Sequence, residues 1–150
     1  MKEAAVGMLL GMMAMAGPAD AQGGAPVFER APVGKSWIAY EDTKGNGPAV
    51  LCMPGMGDVR GEYRYLVPLL QKAGYRVLVA DLRGHGDSST DFASYTPADS
   101  GDDVLAVLDH AGVSRATLIG CSMSGGSIAW AAAKAPERVE ALVMLAPFAR

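Results

Sequence analysis

The sequence predicts an α/β protein built on a doubly wound, mostly parallel sheet. From Ser36 onward, short apolar runs alternate with longer amphipathic stretches. Strand, helix and strand at that spacing imply parallel strands joined by right-handed crossovers. Runs such as Val77 to Ala80 are apolar at every position, which suits a sheet covered on both faces. Over 150 residues, 50% of the side chains are hydrophobic and 19% charged. That balance allows a buried core and excludes a disordered chain.

The elements follow in order. Ser36 to Tyr40 reads as a short strand, and Asp42 to Pro48 is dense in turn residues. Ala49 to Met53 is a buried strand that leads into the loop Pro54-Gly55-Met56-Gly57. Glu62 to Ala73 carries Tyr65, Leu66, Leu69 and Leu70 at helical spacing, and Gly74 stops it. Arg76 to Asp81 is another strand. Thr96 reads as the N-cap of a helix with Pro97 at its first position and Asp99 in its first turn. Val104, Leu105, Val107 and Leu108 give that helix its apolar face, and Gly112 ends it. Ala116 to Ile119 is a strand, Met123 to Ala133 a helix, and Val139 to Leu145 a further strand.

The N-terminus reads differently. Lys2, an apolar stretch from Ala4 to Ala16, the Gly17-Pro18 break and Ala19-Asp20-Ala21 match a signal peptide cleaved after Ala21. The organisation expected is a signal peptide over 1–21, a linker or N-terminal segment over 22–33, and one domain over 34–150. The product would be secreted or periplasmic. A net charge of −3 supplies no basic stripe for nucleic acid. No apolar run is long enough to predict a membrane span. Two cysteines, Cys52 and Cys121, cannot build a metal cluster, and free thiols are expected. No metal or cofactor is predicted.

In a doubly wound sheet, sites form at the carboxyl ends of strands. The loop after Ile119 is Gly120-Cys121-Ser122-Met123-Ser124-Gly125-Gly126. A serine on a sharp strand-to-helix turn is held above the sheet, beside the positive end of a helix. Its neighbours two positions away must be small, as Gly120 and Ser124 are. Ser122 could instead be a plain N-cap, and a second register would make Ser124 the nucleophile. A dinucleotide-binding reading also exists, since Gly55-x-Gly57-x-x-x-Gly61 follows a strand and the next strand ends in Asp81.

From Ser36 to Arg150 the chain resembles the α/β-hydrolase superfamily. Gly120-x-Ser122-x-Ser124 resembles its G-x-S-x-G nucleophile elbow, with serine in place of the last glycine. Asp81-Leu82-Arg83-Gly84-His85-Gly86-Asp87-Ser88 resembles the family's loop after the fourth strand, and Ala135-Pro136-Glu137-Arg138-Val139 its approach to the sixth. Pro54-Gly55 stands where many members have His-Gly.

The resemblance implies that Ser122 is the nucleophile of a serine hydrolase acting on a carboxylic ester or related acyl substrate. The backbone N–H groups of Met56 and Met123 would form the oxyanion hole, their side chains lining an apolar acyl pocket. The family's acid and histidine follow its seventh and eighth strands, so the expected sheet is one truncated after about the sixth. His85 is implied to be structural, and His110 reads as a surface residue. Asp81, Asp87 and Asp102 lie outside the acid's place, and Cys121 should point away from the pocket. The alternative is a non-catalytic, truncated or split hydrolase half. Val139 to Leu145, if an unpaired edge, would promote self-association or take up a separate C-terminal half.

Overall fold

The computed structural model describes residues 25–148. The segment read as a signal peptide lies outside the described residues. Six strands form the described sheet: β1 (Val27–Val33), β2 (Ser36–Asp42), β3 (Ala49–Met53), β4 (Arg76–Ala80), β5 (Ala116–Cys121) and β6 (Val139–Leu145). Their order across it is β1-β2-β4-β3-β5-β6. From β4 to β6 all neighbours run parallel, while β1 and β2 extend the sheet antiparallel.

Alternation along the central strands builds two cores. Leu51, Met53, Leu78, Ala80 and Leu118 face α2 (Pro97–His110) and α3 (Met123–Lys134). Val50, Cys52, Val77, Val79 and Ile119 face Leu70 of α1 (Leu66–Lys72) and Tyr63. A strand buried on both faces must be apolar at every position, which is why these runs lack a polar phase.

Two expectations are corrected here. The 22–33 linker contains β1, which pairs with β2 from Val27↔Asp42 to Val33↔Ser36 across a tight hairpin with Gly34 at φ 63°. This strand buries Ala31 but exposes Val27 and Phe28, so its own composition does not mark it as core. The single helix expected over Glu62–Ala73 is instead a 3₁₀ turn (Arg60–Tyr63) followed by α1. Tyr65 is 74% and Leu69 57% exposed, so half of the periodic set faces solvent rather than core.

The start of α2 has the expected cap. Thr96 Oγ1 accepts the Asp99 N–H at 3.2 Å while Asp99 Oδ2 accepts the Thr96 N–H at 2.8 Å. The Ser94 hydroxyl, then Thr96, hold the Asp99 carboxyl down at about 2. A carboxyl depressed by folding stabilises above its ordinary range and loses that contribution as pH falls towards the folded value. Asp99→Asn is therefore expected to lower the melting temperature by a few degrees at pH 7. The difference from wild type should shrink between pH 4 and pH 2 in a melting series.

β6 forms one margin of the described sheet. Its Met144 and Leu145 are exposed, as is Phe148 beyond it.

Candidate active site

The strand order reverses between β3 and β5, and the loops at their carboxyl ends meet there. Ser122 sits on the turn from β5 into α3 at φ 52° and ψ −119°, a conformation that costs a non-glycine residue about 1–3 kcal/mol. Backbone bonds hold it in that state. Its N–H donates to the Leu145 carbonyl at 2.9 Å, and its carbonyl accepts the N–H groups of Gly125 and Phe148, both at 3.0 Å.

The close approach of β5 and α3 requires Gly120. A Cβ there would lie 2.5 Å from the Ser124 carbonyl oxygen and 3.0 Å from the Gly125 nitrogen. The other small position holds Ser124, fully buried in the first turn of α3, whose hydroxyl donates to the Pro54 carbonyl at 2.5 Å. The two departures from the family pattern thus touch each other. Ser124 is a brace and has no access to a substrate, which removes the second register.

The Ser122 hydroxyl does not cap α3 and has no hydrogen-bond partner among the described residues, so the plain N-cap reading fails. Met123 opens α3, where an N–H has no intrahelical acceptor. No hydrogen bond among the described residues occupies the Met56 N–H. The two methionine side chains do not share an acyl pocket: Met56 is 70% exposed, and Met123 packs against the core. Gly55 leaves the space over the nucleophile open, since a Cβ there would come within 3.6 Å of Ser122 Cβ.

The Asp81–Ser88 loop is structural almost letter by letter. Asp81 Oδ1 accepts the Arg60 N–H, and Asp81 Oδ2 both pairs with the Arg60 guanidinium and accepts the Asp87 N–H. A Cβ on Gly86 would fall 2.2 Å from that carboxylate. Arg83 binds Asp103 of α2 through Nε and Nη2 at 2.8 and 2.7 Å. Ser88 accepts the Ala39 N–H and donates to the Asp81 carbonyl, stitching the loop to β2. Among the described residues neither histidine contacts Ser122. His85 is bonded to Gly57 and Arg83. His110 is exposed at the surface, as expected, with Nδ1 2.8 Å from the Tyr40 hydroxyl. It lies at the amino ends of the parallel strands, next to Ala111, which accepts from Arg76 at the start of β4.

Cys121 Sγ lies beside Gly55, and burial, then the Glu62 carboxylate, pushes its thiol up to about 11. Cys52 is buried, and both cysteines are free thiols. The glycines of the dinucleotide reading lead into the 3₁₀ turn, not an α-helix N-terminus, so no phosphate cradle forms. No helix of the described residues is long and apolar enough to cross a membrane. A cleft of about 600 Å³, lined by Glu41, Arg60, Arg64 and Asp87, does not include the nucleophile.

Comparison with known proteins agrees with this geometry. An epoxide hydrolase of Caballeronia sordidicola is 36% identical over 133 residues, covering 86% of this chain and 40% of that protein. The 3-oxoadipate enol-lactonase 2 of Acinetobacter baylyi is 34% identical over 97 residues, covering 65% of this chain and 36% of that protein. Among solved structures, Est816, described as an N-acyl homoserine lactone degrading enzyme, superposes with a TM-score of 0.75 at 26% identity. It covers 79% of this chain and 45% of its own length. The chain thus spans about two fifths of the length of these two relatives. Residues 48–149 match the alpha/beta hydrolase fold family, and with the strained elbow at Ser122 and the sheet order above, the chain belongs to that family.

Proposed function

We propose that the protein is a serine hydrolase of carboxylic esters, lactones included, working through an acyl-enzyme on Ser122. The observation that carries this is a serine hydroxyl, without a hydrogen-bond partner among the described residues, held by a strained backbone beside α3's N-terminus. Ser122 Oγ attacks the acyl carbon while its proton passes to a general base. The carbonyl oxygen takes up the negative charge and accepts the N–H groups of Met123 and Met56. The bond to the leaving oxygen breaks, the alcohol departs with a proton, and water then hydrolyses the Ser122 ester. Among the described residues neither histidine hydrogen-bonds Ser122, and His85 is committed to Gly57.

Both epoxide and lactone hydrolases occur among the relatives, and the chemistry of the nucleophile chooses between them. Opening an epoxide on a serine oxygen makes an alkyl ether, which water does not cleave under enzymatic conditions. Attack on an acyl carbon makes an ester, which it does. Turnover therefore favours the acyl substrate.

A fluorophosphonate probe followed by peptide mass spectrometry is expected to place the adduct on Ser122. The same preparation should hydrolyse p-nitrophenyl butyrate and leave styrene oxide intact. An adduct at another residue, or turnover of the epoxide, would overturn the assignment. Absence of both adduct and ester hydrolysis would favour the alternative, a hydrolase half without turnover; that neither histidine hydrogen-bonds Ser122 among the described residues supports that alternative.

A further inference from the structure

The loop Pro54–Gly57 carries three consecutive N–H groups over the nucleophile, and the surrounding structure treats them unequally. The Gly55 N–H donates to Glu62 Oε2 at 2.9 Å. The Gly57 N–H donates to His85 Nε2 at 3.0 Å. Between them, the Met56 N–H has no acceptor among the described residues.

We propose that Glu62 and His85 are positioning residues that occupy the flanking donors and so leave the Met56 N–H as the one this loop offers to an oxyanion. The proposal rests on the acyl-transfer reading above. Its first support is the state of His85. Nδ1 lies 3.0 Å from the Arg83 carbonyl, an acceptor only, so Nδ1 carries the proton and Nε2 is the bare nitrogen that Gly57 requires. Arg83 is itself fixed by Asp103. The imidazole is thus aimed by its far side, much as outer hydrogen bonds aim a ligating histidine.

The second support is Glu62. Its carboxylate accepts the Gly55 N–H in the β3 loop at 2.9 Å, and it lies near enough to Cys121, the residue before the nucleophile, to push that thiol up. One side chain thereby holds the segment that carries Met56 and stands beside the segment that carries Ser122. The carbonyls leading into the loop are engaged as well. The Tyr63 hydroxyl donates to the Met53 carbonyl at 2.9 Å, Ser124 to the Pro54 carbonyl, and the Asp58 N–H to the Gly55 carbonyl at 3.1 Å. A donor fixed before the reaction costs no reorganisation when charge develops, and that is where such donors gain their effect.

The test compares variants that keep the acceptor with variants that delete it, in the full chain. His85→Gln and Glu62→Gln retain an oxygen that can accept the flanking N–H; His85→Leu and Glu62→Leu do not. Activity on p-nitrophenyl butyrate is expressed per fluorophosphonate-titrated site, so loss of folded protein does not count. The Leu variants are expected to lose about ten- to hundred-fold in kcat with KM within about two-fold, short of the 10²–10³ for deleting a donor. The Gln variants should stay within about three-fold of wild type.

Amide hydrogen exchange by NMR supplies an arm independent of turnover. His85→Leu should lose protection at Gly57, and Glu62→Leu at Gly55. Equal losses in Gln and Leu variants, or full kcat in the Leu variants of an active enzyme, would overturn the positioning role alone. A wild type inactive on esters would overturn the acyl-transfer reading and this catalytic role with it, and exchange would then report only whether the two bonds exist.

Discussion

Ser122→Ala is expected to lower kcat for ester hydrolysis by about 10⁴–10⁶-fold while leaving the melting temperature within about 2 °C of wild type. The first number follows from deleting the only atom that bonds to the substrate; enzymes of this type retain only the residual catalysis of the oxyanion hole and binding. The second follows from the structure of the elbow. The Ser122 hydroxyl makes no hydrogen bond among the described residues, and the strained φ of 52° is held by backbone groups that alanine retains. Steady-state rates and a thermal melt on the same preparation check both. Ser124→Ala should behave in the opposite way. Its buried hydroxyl bonds to the Pro54 carbonyl, so its loss is expected to reduce stability by about 1–3 kcal/mol and still permit labelling of Ser122. A drop of many degrees in Ser122→Ala would make that residue a structural cap and end the nucleophile assignment.

How legible the molecule is from its sequence depends on the range of the interaction that fixes each part. β3 and β6 have the bounds that their apolar runs mark, and Thr96, Pro97 and Asp99 announce the start of α2 by local chemistry alone. The elbow is legible too, because Gly120 and Ser122 answer a steric demand within five residues. β1 is not. Its alternation includes Arg30 and Pro32, it buries little, and only pairing with β2 defines it as a strand. The helical periodicity before Gly74 misleads because Tyr65 and Leu69 are apolar yet solvent-facing. In the site, Met56 and Met123 are the donors that family resemblance implies, and His85 stands in the Asp81–Ser88 motif, but no local pattern marks its bond to Gly57 or that of Glu62 to Gly55. Their acceptors reach Gly55 and Gly57 across loops that only the sheet brings together.

Asp103→Ala is expected to destabilise the protein by about 3–5 kcal/mol, or roughly 10–15 °C in melting temperature. Asp103 is fully buried, and the Arg83 guanidinium that it grips on two nitrogens is 8% exposed. Removing the carboxylate leaves the Arg83 cation with the Asp99 carboxylate at 3.7 Å, the Ser94 and Asp99 carbonyls and the face of Phe92 as its remaining company. The Asp99 carboxylate is longer-range, partly exposed and already engaged by Ser94 and Thr96, so it replaces the two-nitrogen grip of Asp103 only in part. The cost is that of breaking a buried pair and not the small worth of a surface one. The pair itself need not be a large net gain, because both ions were dehydrated to form it. Arg83→Met combined with Asp103→Leu is therefore expected to recover most of the lost stability, and a urea-denaturation double-mutant cycle measures the difference. Recovery of stability should come without recovery of full activity. His85 is aimed by the Arg83 carbonyl, and the path of that backbone is set by where the Arg83 side chain is anchored. A double variant that regains both stability and kcat would show that the loop keeps its path without the ion pair, whereas one that regains stability alone would assign the pair to holding the site.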